Sequence, residues 1–280
     1  MGEKKDCLGE SLVRRETGKG LSPRKVGVIG LGAVGTVVRT IMSHWFECVG
    51  YDIHGQHSWS DVIRTDALLI CVPTPENEVD GRLDCRAVDE VLSRLARDDY
   101  RGLTIIKSTV GVGYMEHATA SYPKLRLVYM PEFLRERSAL TWFASPDRLV
   151  VSGAPDDVEE ALSYFHWVEE ATILKMDYRS AEIGKLAHNA YIATKVSFTN
   201  EIENICSEAG GNPQSVMSII WADRRVKSRE HLKPLVGPYG GKCVPKDLRE
   251  LLNSSSRAVL LKAVEEVNRQ TELRYRRGSS

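Results

Sequence analysis

The chain has 280 residues with 38 basic side chains balanced by 38 acidic ones, so it offers no overall basic field for nucleic acid. Its longest apolar runs, such as "ALLICV" at 67–72, are strand-length and far short of a membrane span. The cysteines at 7, 48, 71, 85, 206 and 243 form no CxxC pair and no metal-ligand spacing, which points to reduced thiols in a cytoplasm, without a disulfide framework or a metal.

The first 24 residues, "MGEKKDCLGESLVRRETGKGLSPR", are polar and mixed in charge. They have neither the apolar stretch of a signal peptide nor a Ser/Thr at position six for myristoylation, and are expected to be a flexible leader. From Lys25 the pattern alternates between strand-like and helix-period runs. Strands are predicted at 25–30, 48–52, 67–72, 103–107, 125–129, 148–152 and 171–175. Helical stretches run from the first strand to about Trp45, and over 84–97 and 155–168. Strands this apolar are buried on both faces, which predicts a doubly wound parallel sheet covered by helices. After Asp177 the strand pattern ends. Residues 179–209 keep a helical period through Ile183, Leu186, Ala190, Tyr191, Thr194, Phe198, Ile202 and Ile205. Shorter helices are expected near 213–221 and 245–253, and a last one from about Arg257. The architecture is therefore α/β: a leader over 1–24, a Rossmann-like domain over 25–177 and an all-helical domain over 178–280.

"GLGAVG" at 30–35 fits G-x-G-x-x-G, follows a predicted strand and opens a helix. Gly30 permits the tight turn, Gly32 lets the backbone approach a pyrophosphate and Gly35 lets helix pack close to sheet. The N–H groups opening that helix suit phosphates. Asp52 ends the second strand, placed to bind ribose hydroxyls and repel a 2′-phosphate, so the expected cofactor is NAD rather than NADP. A nucleotide-free glycine turn with a capping aspartate is the plainer alternative.

Lys185 and Asn189 stand four apart on one face of the long helix, where a solvated stripe is an equally fair reading. Glu132 and Glu136 in "PEFLRE" follow a strand end, where α/β active sites gather, although a surface loop would look the same. Cys243 in "GGKCVPKD" precedes Pro245, which suits the first turn of a helix. A helix N-terminus with Lys242 and Lys246 nearby favours the reactive thiolate. A cysteine is more often a small core residue, but the glycines and charges here argue against a core position.

With these residues in place the chain resembles the UDP-glucose/GDP-mannose 6-dehydrogenases over about 25–277. The resemblance is carried by "GLGAVG", "CVPTP" (71–75), "KSTVGVG" (107–113), "PEFLRE" (131–136), "DRLVV" (147–151), "AEIGKLAHNAYIATKVSFTNEI" (181–202), "DRRV" (223–226), "GPYGGKCVPKD" (237–247) and "EVNRQ" (266–270). It implies an NAD-dependent oxidation of a sugar C6 alcohol to a carboxylate. By position, Cys243 matches the nucleophile that forms a thiohemiacetal and then a thioester, and Lys185 the lysine that stabilises oxygen charge. Asp247 matches the residue that handles water and protons, with Thr109 and Glu132 beside it, and Asn189 a substrate-orienting amide. Phe133, Leu134, Glu136, Lys233 and the Gly237–Gly241 loop, including Tyr239 and Gly240, match substrate contacts. Arg225 matches an arginine that reaches nucleotide phosphates across a dimer. Ala33, Val34, Val72, Pro73, Thr74, Thr109, Glu136 and Lys246 complete the implied cofactor contacts.

The chain also departs from that pattern. "KSTVGVG" lacks a proline after the valine, Arg137 stands where glycine is usual, and Lys242 precedes the nucleophile. The sequence reaches Ser280 just after the family's central helix begins, so it reads as a short form lacking the C-terminal UDP-binding domain and acting on a changed sugar or nucleoside substrate. A homodimer is expected on helices 179–209 and 257–277, the last exposing a stripe of Val259, Leu260, Ala263, Val264 and Val267. Two other classes stay open. One is a two-electron alcohol dehydrogenase resembling the β-hydroxyacid dehydrogenases, which share the Lys-x-x-x-Asn pair; the other is a non-catalytic NAD-binding subunit.

Overall fold

The computed structural model describes residues 24–55, 58–134 and 138–278. Of the expected leader Arg24 falls within them, while Cys7, Glu136 and Arg137 lie outside the described residues. The chain forms two compact units, the first holding residues up to Thr74 with Cys85–Ala181, the second Pro75–Asp84 with Glu182 onward.

The first unit runs through β1 (Lys25–Ile29), α1 (Ala33–Met42), β2 (Glu47–Tyr51), α2 (Trp59–Val62), β3 (Ala67–Ile70), α3 (Arg86–Arg97) and β4 (Leu103–Ile106). It continues with α4 (Tyr114–Ser121), β5 (Arg126–Tyr129), α5 (Ala139–Ala144), β6 (Arg148–Gly153), α6 (Pro155–Ser163) and β7 (Thr172–Lys175). The strands form one sheet in the order β2-β1-β3-β4-β5-β6-β7. Strand alternation sorts the side chains onto two faces. Val26, Val28, Leu69, Ile105 and Val128 share a core with Val38, Phe143 and Val158 of α1, α5 and α6. Ile29, Leu68, Ile70, Ile106 and Tyr129 share the other with Val62, Leu92 and Met115 of α2, α3 and α4. Both faces are covered, so the sheet is doubly wound.

It is not wholly parallel. β5 and β6 pair antiparallel, Val128 opposite Gly153 and Tyr129 opposite Ser152, so this pair needs no crossover of the kind that joins parallel strands. β7 also departs from expectation: it is the edge strand and exposed along its length, Ile173 and Leu174 included. Two helices stop early. After α1 and α6 the chain turns to bring Trp45, Phe46, Tyr164 and Trp167 into an aromatic cluster, in which Trp45 stacks on Trp167 at 5.9 Å.

The second unit takes most of α7 (Tyr178–Ala209), then α8 (Pro213–Ala222), α9 (Val244–Asn253) and α10 (Val259–Gly278). Its core joins Ala190 and Ala193 of α7 to Leu248 of α9, Val264 of α10 and Tyr239. The apolar stripe expected on the last helix therefore divides: Val264 is buried against α7 and α9, while Val259 and Leu260 are exposed. Residues 75–84 join this unit as a tight hairpin. Asn77 N–H donates to Arg82 O at 2.7 Å, Gly81 N–H to Asn77 O at 2.8 Å and Asp84 N–H to Pro75 O at 2.8 Å. Gly81 takes φ 68°, which costs a glycine nothing. Among the described residues no helix is long and apolar enough to cross a membrane.

Candidate active site

In the first unit the strand order reverses at β1, which has β2 on one side and β3 on the other. In open α/β sheets the crevice at such a switch point, beyond the strand C-termini, is where ligands bind. The turn after β1 is shaped by what its glycines lack. Gly30 sits at φ 88°, and a Cβ there would come within 2.9 Å of the Cys71 carbonyl and the Val72 nitrogen. A Cβ on Gly35 would lie 1.7 Å from Gly30 O, so α1 could not start so close to β1. At Gly32 a Cβ would meet nothing within 4 Å, which leaves backbone facing open space. No side chain caps α1, so the N–H groups of Ala33 and Val34 open a helix suited to phosphate.

Asp52 closes the turn. Its Oδ2 accepts the Leu31 N–H at 2.8 Å and its Oδ1 the His54 N–H at 3.0 Å. Across the switch point, Val72, Pro73 and Thr74 leave the C-terminus of β3. Ser108 Oγ donates to Val72 O at 2.7 Å, and Thr74 Oγ1 donates to Thr109 O at 2.7 Å. Beyond β5, Phe133 N–H donates to Glu132 Oε1 at 2.9 Å, and the buried Lys107 ammonium is 2.9 Å from Glu132 Oε2. The Arg148 guanidinium lies 4.3 Å over the Phe133 ring, and Leu134 packs on the core under α1. Burial pushes the Cys71 thiol up to about 12, which keeps it protonated and inert.

The second unit gathers charged side chains. Asp247, 1% exposed, stands one turn into α9. Its Oδ2 accepts Asn189 Nδ2–H at 2.5 Å and lies 3.8 Å from Lys185 Nζ, while its Oδ1 accepts from Lys246 Nζ at 2.7 Å. Two ammonium groups and an amide donor face this buried side chain. Cys243 is the N-cap of the same helix, its carbonyl accepting the Asp247 N–H at 3.0 Å, and its thiol is exposed. One helical turn thus separates an accessible sulfur from a buried carboxylate held by two ammonium groups.

The loop leading into Cys243 is braced from α7 and α10. Asn200 Nδ2 donates to Gly237 O at 3.1 Å, and Asn268 exchanges both bonds with the Tyr239 backbone at 2.8 and 3.1 Å. Gly237 (φ 98°) packs against the Tyr275 ring. Leu235 holds φ 64°, uncommon for its type, and Glu203 accepts its N–H. The Tyr239 side chain is buried, its phenol pushed up by that burial, whereas Gly240 and Lys242 are exposed. Arg225 and Lys233 do not join the cluster. Lys233 is exposed and the Arg225 guanidinium folds onto Asp223 at 2.6 Å. Asn200 and Asn268 fall within the stretches that carry the family resemblance, but nothing in the sequence singles them or Glu203 out as loop braces, although Asn200 lies three helical turns from Asn189 on the same face. A polar residue at a core phase must find a partner, and that was the available signal.

Comparison with known proteins decides the family. Residues 54–167 match the NAD binding domain of the UDP-glucose/GDP-mannose dehydrogenase family, and residues 179–270 match its central domain. UDP-glucose 6-dehydrogenase YwqF of Bacillus subtilis is 34% identical over 218 residues, 73% of this chain and 49% of that protein. The chain belongs to the UDP-glucose/GDP-mannose dehydrogenase family. UDP-glucose 6-dehydrogenase of Rickettsia typhi is 35% identical over 69% of this chain and 46% of its own. Among solved structures, the UDP-glucose dehydrogenase of Pyrobaculum islandicum superposes with a TM-score of 0.81 at 27% identity, covering 91% of this chain and 70% of that one. A Mycobacterium tuberculosis 3-hydroxyisobutyrate dehydrogenase shares the fold at 14% identity, TM-score 0.66, over 89% and 94% of the two chains. The chain spans about half the length of the curated relatives it matches. NAD is the cofactor of the family's N-terminal domain. The match to that domain begins after the glycine turn and Asp52, so their fit to a dinucleotide rests on the geometry described above.

Proposed function

We propose that the chain oxidises the primary C6 alcohol of a nucleotide sugar to a carboxylate, with Cys243 carrying the acyl intermediate. The observation that carries this reading is the gathering of Lys185, Asn189 and Lys246 around buried Asp247, one turn from the exposed Cys243 thiol. NAD, when bound, supplies the hydride acceptor for each of two oxidations. Gly32, Ala33 and Val34 would receive its pyrophosphate and Asp52 its ribose, which favours NAD over NADP because a 2′-phosphate would face the carboxylate.

Cys243 Sγ attacks the C6 aldehyde, and the resulting S–C bond gives a thiohemiacetal, then a thioester after the second oxidation. Lys185 donates to the oxygen on which charge develops at each stage. Asp247 accepts a proton from the water that cleaves the thioester, and the sulfur leaves as thiolate. Asn189, fixed by Asp247, orients the sugar. By their match to the family's motifs, Thr109, Glu132, Phe133 and Leu134 are proposed as substrate and proton contacts, and Arg225, Lys233, Tyr239 and Gly240 as contacts to the nucleotide.

We also propose a homodimer. Tyr191, Phe198 and Ile205 recur every seven residues on α7 and are all exposed, as are Val259 and Leu260 on α10. Free cysteines support a reducing, cytoplasmic setting.

The test supplies a panel of nucleotide sugars, UDP-glucose among them, and of nucleosides and simple alcohols, each with NAD, to the purified chain, weighs the product and counts NADH. Two NADH per acid, lost in Cys243→Ala, is the expected outcome. One NADH per aldehyde or ketone, indifferent to Cys243→Ala, would favour the two-electron reading that the fold shared with 3-hydroxyisobutyrate dehydrogenase keeps in view.

A further inference from the structure

The 75–84 hairpin meets α9 through three separate polar contacts. Arg249 Nη1 lies 2.5 and 2.6 Å from the two Glu76 carboxylate oxygens, while its Nε donates to Glu265 of α10 at 2.8 Å. Those carboxylates, Glu76 first, hold the guanidinium well above its usual range. Glu250, 5% exposed, accepts the Leu83 N–H through Oε2 at 2.7 Å. Asn253 Nδ2 donates to Asp80 O at 2.9 Å, directly above Gly81.

All three contacts fall just after Asp247 in the sequence. Glu250 sits one turn past Asp247 on the same face, and Arg249 and Asn253 share the neighbouring face. A ten-residue helix is marginal on its own, and its apolar side is already used against α7 and α10. The polar contacts are poorly explained as stability. Half-exposed ion pairs contribute little, and a buried carboxylate such as Glu250 is no better for stability than an apolar residue of the same size. What they do provide is direction. A planar guanidinium between two carboxylates, with a backbone N–H bonded one residue on, resists both rotation and sliding of α9.

We propose that this hairpin is a clamp that fixes the register of α9, making Arg249 and Glu250 positioning residues for Cys243 and Asp247. The inference rests on the roles proposed for those two residues. The experiment uses the full chain carrying Arg249→Met or, releasing the same contact from the hairpin side, Glu76→Gln. Amides of Val244–Leu252 should exchange with deuterium about tenfold faster while those of α7 and α10 stay unchanged. Iodoacetamide should alkylate Cys243 several-fold more slowly as the first turn frays and its aligned N–H groups are lost. With UDP-glucose, kcat should fall about tenfold at nearly constant KM, and Arg249→Lys, which keeps charge without the fork, should not restore it. Unchanged exchange in α9 overturns the clamp. So does faster exchange with Cys243 alkylation unaltered. A wild-type chain without dehydrogenase activity would instead overturn the proposed reaction, and the exchange and alkylation measurements would still decide the clamp.

Discussion

The glycine turn of the first unit and the Asp247 cluster of the second are built in opposite ways. The turn is made of backbone and of side chains that are missing: Gly30 and Gly35 are there because a Cβ would collide, and Gly32 because a Cβ would block open space. The cluster is made of side chains brought together from distant stretches of chain, Asn189 and Asp247 being 58 residues apart. In the turn, fold and binding are inseparable. In the cluster the helices stand on their apolar faces and the chemistry is added to them. Substitutions should therefore fail differently in the two places.

The largest effect should come from the cluster. Cys243→Ala removes an exposed atom that no packing depends on, so melting temperature should stay within a degree or two while acid formation falls by about a thousandfold or more. A variant that melts early would show that the thiol belongs to the fold and would erase the contrast. Next in size, Gly35→Ala places a methyl group 1.7 Å from Gly30 O and should cost about 3 kcal/mol or more, read as lost soluble yield or a lowered urea midpoint. Its partner, Gly32→Ala, meets no neighbour and should leave stability alone while weakening NAD binding about tenfold by calorimetry. Equal destabilisation by the two would break the picture of a turn in which each glycine has its own task.

Asn200→Ala sharpens the comparison from a third side, because it leaves the buried Gly237 carbonyl without its donor. A loss of about 1–3 kcal/mol is expected, together with a raised KM for the sugar nucleotide and little change in NAD affinity. The smallest effect is alkaline. Burial raises the Cys71 thiol from 9.0 to about 12 and the Cys48 thiol to about 11. The native state therefore favours the protonated thiols: this contribution is complete below pH 9 and is lost as pH rises through 11 and 12. Between pH 9 and 11 unfolding free energy should fall more steeply in the parent than in Cys71→Ala, by at most about 1.4 kcal/mol per pH unit, read as a faster drop in melting temperature.

The same contrast explains what could be read beforehand. The seven strands were legible because each is a short apolar run with a turn on either side. The glycine turn was legible because its spacing, between a strand and a helix, is a pattern within six residues of sequence. The direction of β6 was not, since nothing in "RLVVS" says from which edge of the sheet it starts. Helices α2, α4 and α5 were too short to show a period. The Asp247 cluster became visible through resemblance to a family, because residues alone could not say that Lys185 and Asn189 face α9 rather than solvent. Asp80-Gly81 is a turn signal that marks the 75–84 hairpin, but what the hairpin touches depends on a helix some 170 residues on.

That hairpin also governs how the molecule can be cut. The unit that carries Cys243 is not a continuous stretch of chain, for it includes Pro75–Asp84 as well as Glu182 onward. A gene fragment starting at Glu182 would leave Arg249 without Glu76 and the Glu250 carboxylate with no Leu83 N–H to accept. A fragment ending at Ala181 would carry the hairpin with no helix to seat it. The chain passes between the units three times, at 74/75, 84/85 and 181/182, so a proteolytic cut near Ala181 alone should leave pieces that co-purify, because the 75–84 hairpin stays bound to α9. Workable halves would need a permuted chain, in which the ten hairpin residues are spliced ahead of α7.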